Sequence, residues 1–122
     1  KSDIVQLMLS CIDKDLHDFE LKWEDDHCAT VVMASNGYPG SFEKETAING
    51  IDKLENTDTF QVFHAATAIK DKKIIAIGGR VLSVTSKNAS LSGALKKIYE
   101  SIHSIDWPEG YYRKDIGKKA LK

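Results

Sequence analysis

The 122-residue sequence has neither a long apolar run nor an excess of charge of one sign. A membrane-spanning helix needs about 18 or more consecutive apolar residues, and no stretch of this chain approaches that length. The formal net charge is −1 and the basic residues are scattered, whereas nucleic-acid-binding proteins carry a concentrated basic patch. We therefore expect one domain with no membrane contact and no nucleic-acid partner.

Cysteine is equally scarce, since Cys11 and Cys28 are the two thiols of the chain. Neither lies in a CxxC motif or beside a pair of histidines, so free thiols buried in apolar stretches are favoured over a disulfide. Such thiols are typical of cytoplasmic proteins. The sequence has no signal peptide and no initiating Met, and it opens directly on a helix, so we expect a segment of a longer protein.

Motifs of self-contained catalytic sites are also missing. No GxxxxGKS/T, GxSxG, HExxH or GxGxxG occurs, which leaves a nucleotide loop, a serine nucleophile and a zinc site without support. The four histidines are dispersed. His64 shares a predicted strand face with Phe60 and Val62, where a hydrogen-bonded core or edge histidine is favoured over a general base. We predict no metal site and no catalytic residue in this segment.

The hydrophobic pattern predicts helices at the two ends of a β-rich region. Ser2 or Asp3 can cap an N-terminal helix whose apolar face runs to Ile12. A second helix carries apolar residues from Leu91 to Ile105, and Pro108 stops it. The tail is too apolar for a loose terminus, so we expect four of its residues to dock on the domain: Tyr111, Tyr112, Ile116 and Leu121.

Between these helices the sequence predicts short strands separated by turns. They span residues 19–23, 28–35, 47–50, 60–65, 67–70, 73–79 and 80–86. Their short connections imply antiparallel neighbours, and we expect the first two to form a hairpin. The predicted fold class is therefore α+β, with a mostly antiparallel β-sheet and helices to one side, in a single domain over residues 1–122.

Arginine is rare, because only Arg80 and Arg113 are arginines among the 17 basic residues. A guanidinium grips a carboxylate or phosphate through two parallel hydrogen bonds, which lysine cannot reproduce. Arg80 follows Gly78 and Gly79, so it enters a strand from a turn whose backbone amides are accessible to an anion. For Arg80 an anion site and an intradomain salt bridge both stay open, whereas a salt bridge is favoured for Arg113.

A loop with a defined backbone path follows the predicted strand 28–35. Gly37 and Gly40 can adopt positive φ angles, while Pro39 fixes its own φ and pushes Tyr38 toward an extended conformation. Such a loop is either a corner of the fold or the wall of a site.

Three stretches together resemble a known family: VVMASNGYPGSFEK, VFHAATAIKDKKIIAIGGRVLSVTS and YYRKDIGKKAL. They are similar, in order and spacing, to the C-terminal domain of the glycinamide ribonucleotide synthetase (phosphoribosylamine-glycine ligase) family of ATP-grasp ligases. The resemblance covers nearly the whole chain. Asn36 and Ala66 stand where the family usually has glycine.

The resemblance implies an ATP-dependent ligase of de novo purine (IMP) synthesis, which joins glycine to 5-phosphoribosylamine to give glycinamide ribonucleotide, ADP and phosphate. It also implies that the residues binding ATP and Mg or Mn lie upstream, so the isolated segment is expected to be inactive. The upstream ATP-grasp domain of the same chain would be the partner, and this segment would close one side of the substrate cleft.

On this resemblance, Arg80 is the best candidate to hold the phosphate of phosphoribosylamine. The full set of candidate substrate-binding residues is Arg80, Gly79, Lys70, His64, Thr67, Tyr38 and Pro39. A structural lid without ligand contacts, or a free-standing α+β binding module, stays open as an alternative. If the segment is one wall of a larger enzyme, we expect an apolar patch to be exposed, formed by Leu7, Met8, Tyr38, Phe42, Tyr111 and Tyr112.

Overall fold

The computed structural model describes residues 1–121, which form two antiparallel sheets and two α-helices. The elements in chain order are α1 (Ile4–Asp13), β1 (His27–Ser35), β2 (Thr46–Ile48), β3 (Phe60–His64), β4 (Thr67–Lys70), β5 (Lys73–Ala76), β6 (Arg80–Asn88), α2 (Leu91–Ile102) and β7 (Gly110–Tyr112). Short 3-10 turns lie at Leu16–Asp18 and Ile51–Lys53. The predicted α+β class is confirmed, although the strands divide into two sheets.

The larger sheet has the strand order β3-β6-β1-β7, with every neighbour antiparallel. Alternate residues of its central strands are buried on one face, among them Val31 on β1 and Val84 on β6, which lie opposite each other. Helix α2 covers this face and contributes Leu95, Ile98 and Ile102 to the core. Within residues 1–121, no helix lies over the opposite face of the sheet.

Helix α2 begins where the sequence predicts and ends earlier. The Ser90 hydroxyl accepts a 3.0 Å hydrogen bond from the Gly93 amide and caps the first turn. The last helical residue is Ile102. After it the hydrogen bonds change to the 3-10 pattern, in which the Ile105 amide donates to the Ile102 carbonyl three residues back. Ile105 is buried, as its apolar character predicts, but it lies beyond the helix, and Pro108 does not end it.

The smaller sheet has the order β2-β5-β4 and joins the larger one through the segment after α2. Asn49 and Asp106 exchange two backbone hydrogen bonds of 2.9 Å, and Trp107 packs in the shared core. These contacts attach the second sheet to the core.

The predicted hairpin between residues 19–23 and 28–35 is wrong. Strand β1 pairs with β6 along most of its length and with β7 at Met33–Ser35, whereas residues 19–23 form no strand. That segment runs beside the N-terminus instead, where the Ser2 amide bonds to the Lys22 carbonyl at 3.1 Å. The tail supplies β7, which the sequence indicated only as a docked segment.

Helix α1 is capped by Asp3, as predicted, but none of its residues is buried. It packs against the turn at Leu16–Asp18. The prediction of buried thiols is wrong: Cys11 and Cys28 are free but exposed. Cys11 lies on this uncovered helix, and Cys28 lies on the outward-facing alternation of β1. No helix within residues 1–121 is long and apolar enough to cross a membrane.

The tail docks through Tyr112 and Ile116, which pack against the core cluster. The Tyr99 hydroxyl on α2 donates to the Arg113 carbonyl at 3.0 Å and accepts from the Ile116 amide at 3.3 Å. Tyr111 and Leu121, by contrast, are exposed, so docking is confirmed for only half of the four predicted residues.

Candidate functional site

Three connections meet at the turn between β5 and β6. The Ser35 amide, at the end of β1, donates a 2.7 Å hydrogen bond to the Gly79 carbonyl. From the β3–β4 connection, the Ala66 carbonyl accepts a 3.0 Å bond from the Ile77 amide. The turn that precedes Arg80 is therefore held by backbone hydrogen bonds from two neighbouring segments.

The loop after β1 packs directly on this turn. The ring of Tyr38 lies against Gly79 so closely that a Cβ atom there would overlap it. A Cβ atom on Gly78 would lie 2.6 Å from that of Ala66, so the Ala66 methyl group fills the space that glycine leaves. The Tyr38–Pro39 peptide bond is cis. Tyr38 and Gly79 are thus brought together.

A β-bulge controls the direction of Arg80. The β1–β6 register shifts so that Val81 becomes the extra residue and Arg80 lies opposite Ala34. In a regular ladder Arg80 would lie opposite Ser35 and share the buried face with Leu82. The bulge therefore moves the guanidinium off the core face and onto the face that no helix covers.

The two arginines have different surroundings. Arg113 donates two hydrogen bonds to Asp115, at 2.9 and 2.7 Å, so the predicted salt bridge is confirmed. These bonds raise the pKa of Arg113 and lower the pKa of Asp115. Arg80 is exposed and forms no ion pair within residues 1–121. Its guanidinium is therefore available to an anionic ligand.

His64 and Thr67 form a separate pair. The Nδ1 atom of His64 lies 3.1 Å from the Thr67 hydroxyl, at a surface depression of about 520 Å³ that is also lined by Ile69. His64 occupies the hydrogen-bonded edge position that was favoured from the sequence. It lies opposite Leu82, so the strand register places it on the other face of the sheet from Arg80.

Lys70 lies at the far end of β4 and is ion-paired with Glu45. It is three residues beyond Thr67, or about 10 Å along the strand. The structure thus brings together Tyr38, Gly79 and Arg80, with Pro39 beside them. The other candidates form two separate pairs, His64 with Thr67 and Lys70 with Glu45.

Sequence reasoning missed Ser35. It is buried, and its hydroxyl donates a 2.7 Å hydrogen bond to the Gly78 carbonyl. The signal was present, because Ser35 continues the buried alternation of Val31 and Met33 at a position where an apolar residue is expected. A serine there requires a partner inside the fold.

Residues 1–121 contain no group of three or more His, Cys, Asp or Glu side chains placed to hold a metal ion. A metal site built from protein side chains alone therefore has no support in this part of the chain. No chemical step through a metal can be derived from these residues.

A family model described as "Phosphoribosylglycinamide synthetase, C domain" matches residues 28–119. The chain is 44% identical over 121 residues to the phosphoribosylamine-glycine ligase of Brucella melitensis, and 40% identical over 124 residues to the chloroplastic phosphoribosylamine-glycine ligase of Arabidopsis thaliana. It is also 42% identical over 122 residues to the trifunctional purine biosynthetic protein adenosine-3 of Gallus gallus.

These alignments cover 99%, 100% and 99% of this chain, but only 28%, 23% and 12% of the respective relatives. Among solved structures, a phosphoribosylamine-glycine ligase from Thermotoga maritima matches with a TM-score of 0.66 and 24% identity, over 88% of this chain and 27% of that one. That likeness supports the fold.

Proposed function

Because the chain belongs to the phosphoribosylglycinamide synthetase C-domain family, we propose that it is the C-terminal part of a phosphoribosylamine-glycine ligase. Such an enzyme joins glycine to 5-phosphoribosylamine with ATP in purine synthesis, giving glycinamide ribonucleotide, ADP and phosphate. The proposal is supported by relatives that bear this name and match the chain over nearly all of its length. The exposed free thiols suit the reducing cytoplasm, which is the compartment we propose.

In this proposal Arg80 holds the phosphate of phosphoribosylamine. The observation that carries it is a guanidinium without an ion-pair partner in residues 1–121, turned by a bulge to the uncovered face of the sheet. A phosphate dianion accepts two parallel hydrogen bonds from such a group. Binding the phosphate, remote from the reacting amine, orients that amine toward the activated glycine carboxyl.

The loop containing Tyr38 and Pro39 forms part of the cleft wall in this proposal. The ring of Tyr38 is held against Gly79, which immediately precedes Arg80. The loop and Arg80 are therefore both attached to the same turn. A wall at this point excludes water from the reacting groups.

ATP and its metal ion are assigned to the part of the ligase upstream of this segment. When bound, Mg²⁺ or Mn²⁺ supplies charge neutralisation for phosphoryl transfer from ATP. Because the ATP and metal sites are assigned upstream, the proposal makes this segment inactive alone.

The upstream domain is also the partner that we propose for α1. Five large apolar residues of this helix are exposed: Ile4, Val5, Met8, Leu9 and Ile12. A helix with no buried residue gains little from its own domain, whereas contact with another domain would remove this apolar surface from water.

The test is Arg80→Lys in the complete ligase, with Arg113→Lys as the matched control. Losing one bidentate contact to the phosphate should raise KM for phosphoribosylamine about 10-fold to 100-fold. KM for ATP and for glycine should change less than about two-fold. Arg113 is also an exposed arginine, but it is paired with Asp115, so its substitution should leave all three values unchanged. Unaltered kinetics for Arg80→Lys would instead favour a purely structural lid.

A further inference from the structure

A buried serine makes two of the hydrogen bonds that hold the turn leading into Arg80. Ser35 is only 2% exposed, and two of its groups bind the turn. Its hydroxyl donates to the Gly78 carbonyl at 2.7 Å, and its amide donates to the Gly79 carbonyl at 2.7 Å. Consecutive carbonyls of the turn are therefore bonded to the same residue.

These two carbonyls belong to the two peptide groups that immediately precede Arg80. The Gly78 carbonyl lies in the plane of the Gly78–Gly79 peptide, and the Gly79 carbonyl lies in the plane of the Gly79–Arg80 peptide. Fixing both planes fixes the backbone path into β6. Two successive glycines would otherwise give this path more freedom than any other pair of residues.

Within residues 1–121 the Ser35 hydroxyl makes one hydrogen bond, to the Gly78 carbonyl. Its position is buried with Val31 and Met33, where an apolar side chain would add to the core. A hydroxyl in such a place is tolerated because it is hydrogen-bonded, and its acceptor is the turn. The ring of Tyr38 packs on Gly79 and restricts the turn from another direction.

We propose that Ser35 is a positioning residue, which holds the Gly78–Gly79 turn so that Arg80 meets the phosphate of phosphoribosylamine. This inference rests on the proposed function of Arg80. Ser35 itself does not contact the substrate in this proposal. It fixes the two peptide groups that precede Arg80, whereas the bulge at Val81 sets the face of the sheet to which Arg80 points.

The experiment is Ser35→Ala in the complete ligase, with Ser101→Ala as the matched control. Ser101 is also a buried serine whose hydroxyl donates to a backbone carbonyl, that of Lys97 at 2.8 Å, but it lies in α2. Both variants should lower the melting temperature. Only Ser35→Ala should raise KM for phosphoribosylamine, by about three-fold to ten-fold, with KM for ATP and glycine unchanged.

A double-mutant cycle with Arg80→Ala separates positioning from an independent effect. If Ser35 acts through Arg80, Ser35→Ala should have no further effect on KM for phosphoribosylamine in the Arg80→Ala background. Additive effects would overturn the proposal. Ser35→Cys keeps the shape of the side chain, at a slightly larger volume, with a weaker donor, and it gives the same comparison should Ser35→Ala be insoluble.

The outcomes also distinguish this inference from the function on which it rests. An unchanged KM in Ser35→Ala, together with a raised KM in Arg80→Ala, would overturn the positioning role alone. An unchanged KM in Arg80→Ala would overturn the assignment of the phosphate to Arg80, and the role of Ser35 with it.

Discussion

The indole nitrogen of Trp107 donates a 2.9 Å hydrogen bond to the hydroxyl of Thr46, and both residues are buried. Thr46 begins β2 of the smaller sheet, whereas Trp107 lies between α2 and β7 beside the larger one. We expect Thr46→Val to lower the free energy of unfolding by about 1 to 3 kcal/mol, because the buried indole donor loses its partner. Urea denaturation of the 122-residue chain measures this difference.

The control for this prediction is Thr85→Val. The Thr85 hydroxyl lies 2.9 Å from that of Thr30, but this pair is exposed, so water replaces the lost bond. Its substitution should change the free energy of unfolding by less than about 0.5 kcal/mol. Equal losses for the two variants would show that burial of the Trp107 bond has no special effect.

How far the fold follows from the sequence is clearest at β1. The regular alternation of Phe19, Leu21 and Trp23 predicted residues 19–23 as a neighbour of β1. Residues 110–112 pair with β1 instead. Alternation reports that a strand fits a half-buried surface, but it cannot tell which partner takes an edge. That choice depends on long-range packing, here on the tail held by Tyr99.

The candidate site shows the same division. Composition alone identified Arg80 as a candidate, because arginine is rare among the basic residues of this lysine-rich chain. Its direction depends on the bulge at Val81, which is a property of the β1–β6 register and has no local sequence signal. His64 and Thr67 are close in sequence and do meet, yet His64 lies on the other face of the larger sheet from Arg80 and Thr67 belongs to the smaller sheet.

The contact between Gly79 and Tyr38 gives a second prediction for stability. Gly79→Ala would place a methyl group in the Tyr38 ring, so we expect a loss of about 1 to 3 kcal/mol in the free energy of unfolding. In a Tyr38→Ala background the same change should cost less than about 0.5 kcal/mol, because the obstacle is gone. Chemical denaturation of the four chains in this cycle gives the coupling. A cost that persists without the ring would point to backbone strain in the turn instead.

The Arg113–Asp115 pair predicts a weak pH dependence. Hydrogen bonds from Arg113 lower the pKa of Asp115 below its ordinary value of 3.8. A lowered carboxyl pKa in the folded chain adds stability above the unfolded pKa, and this stability is lost as pH falls through the folded pKa. The denaturation midpoint of Asp115→Asn should therefore lie below that of the unmodified chain at pH 7, and the gap should shrink below about pH 4.

The control for this pH dependence is Asp58→Asn. Asp58 is exposed and has no ion pair within residues 1–121. Its substitution should lower the denaturation midpoint at pH 7 less than Asp115→Asn does, because no ion pair is lost. A gap for Asp115→Asn that is the same at pH 7 and pH 3 would contradict the assigned role of the pair.

The isolated 122-residue chain should not form glycinamide ribonucleotide from MgATP, glycine and phosphoribosylamine. The reason is that the proposed function assigns the residues that bind ATP and its metal ion to the part of the ligase upstream of this segment. Product formation is measured by chromatography, with the complete ligase as the positive control. Detectable product from the isolated chain would place catalytic groups within this segment.

The exposed apolar surface of α1 should make the isolated chain prone to self-association. Of the residues expected in an exposed patch, Met8, Tyr38 and Tyr111 are exposed, whereas Leu7, Phe42 and Tyr112 are partly buried. Ile12, at 73% exposed, lies one helical turn beyond Met8 on the same side of α1. We therefore expect the native chain to bind a hydrophobic dye and to self-associate in sedimentation.

The double variant Met8→Lys, Ile12→Lys tests the location of this surface. Because no residue of α1 is buried, the two lysines should change the free energy of unfolding by less than about 0.5 kcal/mol while reducing dye binding and self-association. Ile69→Lys is the matched control, since Ile69 is 81% exposed on β4, and it should reduce neither. A monodisperse native chain without dye binding, or equal effects of the α1 and β4 variants, would remove the reason for placing the upstream domain against α1.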